Sequence, residues 1–195
     1  ISLIGDIQER IRLIDSKGYE HKAKLTILKE AARTLNYLTE NNLLQYADLE
    51  KKVEDVHISY DRIGKELKAV EARLREVQPL IKNISNYQRL KPVYDAFQKA
   101  KDKPSFKTKH EAELVIFEAT RSTLLAMQGD EKLPSLKTLQ AEQQRLLEEQ
   151  QRLYDERAKL KKEEKKIETI KSNVDTFLAP SADHDRDHLR STQRE

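Results

Sequence analysis

The side chains able to do chemistry are few and scattered. Five histidines occur, and two of them flank a charged run, His184-Asp185-Arg186-Asp187-His188. Histidine and aspartate can ligate a metal, but residues four apart share a face only on a helix, and nothing apolar anchors this stretch. It reads as solvated tail with no metal. His21, His57 and His110 stand one to a predicted helix, with no partner evident from spacing. Carboxylates are abundant, yet they sit among lysines at helical intervals, as Glu163 does beside Lys166; that describes a charged helix surface. There is no Gly-rich phosphate loop and no Ser nucleophile motif. Zero Cys removes thiol chemistry, disulfides and Cys-ligated zinc. The expectation is a chain without catalytic residues or cofactor.

One grouping exceeds background. Between Arg89 and His110, seven basic residues (Arg89, Lys91, Lys99, Lys101, Lys103, Lys107 and Lys109) face two acids, Asp95 and Asp102. The local net is +5, where the whole chain carries +3. Tyr94, Phe97 and Phe106 are interleaved. A phosphate backbone is attracted to such a patch through counterion release, and aromatic rings can stack on unpaired bases. These seven residues are the candidate nucleic-acid contacts. A lysine-rich loop whose aromatics form their own small core accounts for the same residues and is the stronger of the two readings.

The elements that position them follow from composition and period. Lys plus Arg number 37 and Asp plus Glu 34 in 195 residues, with only 4 Gly and 5 Pro. That balance excludes sandwiches and doubly wound sheets, which need regular turns and β-branched or aromatic strands. No apolar run approaches the ~18 residues of a membrane span. A soluble, cytoplasmic, all-α chain is expected, with no membrane insertion. Since the only Met is Met127, a piece of a longer protein is expected too.

From Leu49 to Ile84, apolar residues recur at alternating steps of four and three: Leu49, Val53, Val56, Tyr60, Ile63, Leu67, Val70, Leu74, Val77, Ile81 and Ile84. This is a coiled-coil seam. Pro79 interrupts it and predicts a kink rather than a stop, because the seam continues. A second repeat places Leu139, Leu146, Leu153, Leu160, Ile167 and Val174 one heptad apart, with polar companions Gln143, Gln150, Arg157, Glu164 and Lys171. Set antiparallel, Leu139 meets Ile84, Leu153 meets Val70 and Val174 meets Leu49, while long polar stems lie over Tyr60, Leu67 and Leu74. The expected fold is a long antiparallel coiled-coil hairpin, roughly 65 Å at 1.5 Å per residue. A parallel homodimer zipper is the competing arrangement.

Residues 1–43 are expected to form two short helices at the hairpin base, striped by Ile4, Ile7, Ile11 and Ile14 and by Leu25, Leu28, Ala31, Ala32, Leu35 and Leu38, with a turn at 15–18. They should pack near Leu49 and Phe177. The long helix is expected over 44–90 and a small basic helical tip over 91–134, where a short helix follows Pro92, Lys101–Pro104 is a loop, and helix resumes until Gly129-Asp130. The returning helix is expected over 135–178, capped by Ser135, and a disordered tail over 179–195.

Several blocks also resemble a known family. Lys17-Gly-Tyr-Glu-His-Lys-Ala-Lys24, Ala31-Ala-Arg-Thr-Leu-Asn-Tyr-Leu-Thr-Glu-Asn-Asn-Leu-Leu-Gln-Tyr-Ala-Asp-Leu-Glu50, Phe106-Lys-Thr-Lys-His-Glu-Ala-Glu113 and Lys132-Leu-Pro-Ser-Leu-Lys-Thr-Leu-Gln-Ala-Glu142 resemble the carboxy-terminal region of plasmid and conjugative-transposon mobilisation relaxases of Gram-positive gut bacteria. The resemblance spans roughly residues 1 to 178. It implies a non-catalytic helical accessory domain of a DNA-nicking protein, in contact with DNA, a relaxosome accessory protein or a coupling protein. The nicking Tyr and its metal-holding histidines belong to an amino-terminal nuclease domain, and no residue of this chain matches them. The alternative is a purely structural coiled-coil or dimerisation module without DNA contact.

Overall fold

The computed structural model describes residues 2–16, 21–128 and 134–179. Every regular element among them is an α-helix: α1 (Leu3–Ser16), α2 (His21–Glu40), α3 (Tyr46–Lys99), α4 (Lys103–Lys109), α5 (Glu111–Gln128) and α6 (Leu136–Leu178). The turn expected over 15–18 starts later, since Asp15 and Ser16 still belong to α1. Lys17 and Gly18, the Gly129-Asp130 break and the tail from 180 on, with His184 and His188, lie outside the described residues. The helices build two compact units, Ile1–Arg62 with Arg157–Glu195 and Ile63–Glu156. Both contain part of α3 and part of α6.

In the first unit α3 and α6 run antiparallel. Tyr46 Oη donates to Asp175 Oδ1 at 2.6 Å, and the Arg157 guanidinium lies 4.9 Å from the centroid of the Tyr60 ring. The expected register is therefore met: Leu49 and Val174 share one buried core, and a long polar stem covers Tyr60. Leu3 and Ile7 of α1, Ala31, Tyr37 and Leu38 of α2, and Phe177 close the same core. The buried face of α2 differs from the expected stripe. Leu25 and Ala32 are exposed, while Thr34 and Tyr37 are buried. Apolar spacing alone misses this, because both polar groups are satisfied on burial. The Thr34 hydroxyl donates to the Glu30 carbonyl at 2.8 Å and accepts from Asn173 Nδ2 at 3.1 Å; Tyr37 Oη donates to Glu163 Oε1 at 2.6 Å.

The break after α2 is a helix stop of the Schellman type. Asn42 takes φ 54, the left-handed region that Asn tolerates better than most residues. The Leu43 N–H reaches the Leu38 carbonyl at 2.8 Å and the Asn42 N–H the Thr39 carbonyl at 3.1 Å. Leu38 and Leu43 are both buried, which supplies the apolar contact of that motif. Three residues on, Asp48 Oδ2 accepts from the Gln45 N–H at 3.0 Å and opens α3 with one arm of a capping box.

In the second unit α3 and α6 are again antiparallel: Tyr154 Oη donates to Glu71 Oε1 at 2.6 Å, and Arg73 Nε to Glu142 Oε1 at 2.7 Å. Val77, Ile84, Leu124 and Leu139 form the buried cluster, with Leu146 packed on it. Ile84 and Leu139 thus share a core as the antiparallel register requires. The α6 companions Gln143 and Gln150 here, and Arg157, Glu164 and Lys171 in the first unit, are all half-buried, as polar seam positions should be.

One boundary moves. The long helix, expected to give way near residue 90, continues through Pro79 and Pro92 to Lys99, so no separate helix follows Pro92. A proline inside a helix removes one backbone hydrogen bond and crowds one preceding carbonyl, and α3 absorbs this on an exposed face, since Pro79 and Pro92 both face solvent. Beyond a short connector, α4 occupies residues expected to be partly loop. Asp102 caps it by accepting from the Ser105 N–H at 3.1 Å, with Pro104 in its first turn. Ser135 caps α6 as expected: its Oγ accepts from the Thr138 N–H at 3.1 Å.

Candidate nucleic-acid interface

The basic candidates lie on the end of α3, on the connector and on α4, all in the second unit. Every one of the seven is exposed. Helical geometry sorts them. Lys103 and Lys107, four apart on α4, share a face, and Lys99 and Lys101 sit at the α3 end and on the connector that leads to it. Lys109 lies about 120° or more from Lys103 and Lys107 around the helix. Arg89 and Lys91 are further back, at least two turns before Lys99 on α3. Lys99, Lys101, Lys103 and Lys107 thus fall at the α3 end, on the connector and on one face of α4, and Arg89, Lys91 and Lys109 do not.

Local partners divide them further. Lys91 is paired with Asp95, Nζ to Oδ2 at 2.7 Å, and that hydrogen bond raises its pKa above the ordinary lysine value, with the carboxylate charge adding to it. Arg89 donates to Asn86 Oδ1 at 3.3 Å. Lys103 sits 5.9 Å from the Phe97 ring centroid, a cation–π distance. Among the described residues, no carboxylate forms an ion pair with Lys99, Lys101, Lys107 or Lys109.

The interleaved aromatics are engaged with one another. Phe97 and Phe106 are 6.1 Å apart between centroids, and Phe106 stacks on His110 at 4.5 Å. Tyr94 and Tyr87 stack on Phe117 at 4.5 and 5.1 Å. Phe117 is almost fully buried. These rings build a local core joining α3, α4 and α5. A base-stacking platform needs free faces, and these contacts occupy part of the aromatic surface. His110, which showed no partner in the sequence, also bonds Glu113 through Nδ1.

No family model, curated protein or solved structure matches this chain.

The first unit holds a cluster that one-dimensional spacing did not reveal. His57 of α3 projects toward α6, with Nδ1 3.5 Å from Glu164 Oε1 and Nε2 3.6 Å from Glu168 Oε1. This is the single set of three such groups among the described residues with atoms close enough to share a cation. The signal was available: the expected antiparallel register centres position 57 between Glu164 and Glu168. Nearby, Lys171 Nζ donates to Tyr46 Oη at 2.9 Å and to Asp175 Oδ2 at 3.0 Å. The Tyr46 and Lys171 hydrogen bonds hold the Asp175 carboxyl below its usual range, Tyr46 contributing most. That triad is fully self-satisfied and serves to fasten α3 to α6.

Proposed function

We propose that this chain is a non-catalytic helical segment of a mobilisation relaxase, cytoplasmic in setting, which contributes a phosphate-backbone contact to a DNA-transfer complex. The block resemblance supports the family, and one structural observation supports the contact: Lys99, Lys101, Lys103 and Lys107, at the α3 end, on the connector and on α4, are all exposed and without carboxylate partners among the described residues. Lysines as the contacting groups, beside aromatics that pack on one another, make the contact backbone-directed and indifferent to sequence.

Binding of single-stranded and duplex DNA at 50 and 200 mM salt tests this. About four neutralised phosphates give a logarithmic salt slope near −3.6 on duplex, hence a loss of about a hundredfold across that range. The Lys99→Glu, Lys101→Glu, Lys103→Glu, Lys107→Glu variant is expected to retain less than a tenth of the low-salt affinity. Equal, weak binding by both proteins removes the DNA contact.

The second reading, a structural module that pairs with another copy or with an accessory protein, is favoured by α5, where Val115, Ile116, Leu125 and Met127 are all exposed. Sedimentation over a range of concentrations separates the two. A monomer throughout leaves only a heterologous partner for that surface.

A further inference from the structure

We propose that His57, Glu164 and Glu168 form a site for a borderline first-row divalent cation, represented by Zn2+, that ties α3 to α6 within the first unit. The donors come from two helices. Glu164 and Glu168 are four apart and therefore lie on one face of α6, one turn above the other, and His57 enters from α3 opposite them. One ring nitrogen and one oxygen from each carboxylate lie within 4.8 Å of one another.

The spacing is informative because it is wrong for the plain alternative. A hydrogen bond from a ring N–H to a carboxylate closes to about 2.7–2.9 Å, whereas His57 stands 3.5 and 3.6 Å from its two neighbours. Ligand atoms around a tetrahedral zinc, with bonds of about 2.0–2.2 Å, are roughly 3.4 Å apart. Neither ring nitrogen is hydrogen-bonded to its carboxylate. A cation takes one nitrogen only, whose nearer carboxylate stands at a separation suited to a shared ion. The second carboxylate, nearest the other nitrogen, lies within 4.8 Å and closes by a side-chain adjustment.

Chemistry selects the class of ion. One imidazole with two carboxylates suits zinc and its neighbours, while calcium and magnesium prefer all-oxygen sets. Three protein ligands leave a fourth position to water. Solvent reaches it, since the side chains of His57 and Glu168 are 45% and 55% exposed while that of Glu164 is 22% exposed. Such an open site exchanges its ion, unlike a closed four-ligand structural zinc.

Calorimetric titration of the full chain with ZnCl2 tests the proposal, alongside His57→Ala, the Glu164→Gln, Glu168→Gln double variant, and a His184→Ala, His188→Ala control for the tail histidines. Expected are one zinc per chain, a rise in thermal midpoint with zinc for the wild type and the tail control, and at least a tenfold loss of affinity in His57→Ala and in the double variant. Circular dichroism confirms that each variant is folded, and the partly exposed carboxylates make the Gln pair the informative arm should the His57 variant unfold. Unchanged affinity in the folded Gln pair, loss of all binding in the tail control, or no zinc uptake by the wild type would each overturn the site.

Discussion

At the scale of single residues, the contacts that fix the first unit are polar groups satisfied in a low-polarity setting. Tyr37 is 3% exposed, and its hydroxyl meets Glu163 at 2.6 Å. Burial first, then the hydrogen bond and charge of Glu163, push its pKa well above the ordinary phenol. Lys166 lies 4.8 Å from the ring centroid on the same helix as that carboxylate. Tyr37→Phe is expected to cost about 1–3 kcal/mol at neutral pH in urea denaturation, because the lost bond goes to a charged group. The pH dependence has a definite sign. Since the folded-state pKa is raised, the unfolded chain releases the phenolic proton first, near pH 10, and stability falls as pH climbs beyond that. The Phe variant lacks this term, so its deficit relative to the wild type should narrow in alkali. A deficit that widens there would contradict the assignment.

At the scale of elements, the seam decides. Leu139 is fully buried between Val77 and Ile84 of α3 and Leu124 of α5, and Leu139→Ala is expected to cost about 2–5 kcal/mol. Pro79 is the opposite case. It is exposed in the middle of α3, so Pro79→Ala restores a helical hydrogen bond without disturbing the core and should stabilise by about 2 kcal/mol after the gain in unfolded-state freedom is subtracted. Thermal denaturation of the pair checks both signs. The antiparallel seam was legible because heptad spacing is a property of the linear chain, and so was Ser135, whose cap chemistry is local. α4 was not: KPSFKTK lacks an apolar stripe, and only the Asp102 to Ser105 interval announced it. The run of α3 through Pro92 was hidden for another reason, since the cost of a proline is offset by tertiary packing of Tyr87, Leu90 and Tyr94 around it. The true face of α2 depended on partners for Thr34 and Tyr37 that lie more than a hundred residues away in sequence.

At the scale of the molecule, two cores coexist in one chain, and each can be addressed separately. Phe117→Ala removes the ring on which Tyr87 and Tyr94 stack; hydrogen exchange should show reduced protection in α5 and the adjoining part of α3, with α1 and α2 unchanged. Loss of protection in α1 and α2 as well would mean that the two cores unfold as one. The candidate sites were unequally readable at this level. Charge density over residues 89–109 is a composition signal and needed no fold, although the pairing of Lys91 with Asp95 did. No helix among the described residues is long and apolar enough to cross a membrane. A heptad repeat with polar companions has a weakness of its own, for α6 could glide by seven residues and still present an aliphatic residue at most seam positions. The half-buried Asn173 amide on the Thr34 hydroxyl opposes that: a shift of one repeat would bring Lys166 to face the buried Thr34 instead. With the Tyr37–Glu163, Tyr46–Asp175 and Arg73–Glu142 contacts, this amide is one of the notches that tell an otherwise periodic helix where to halt.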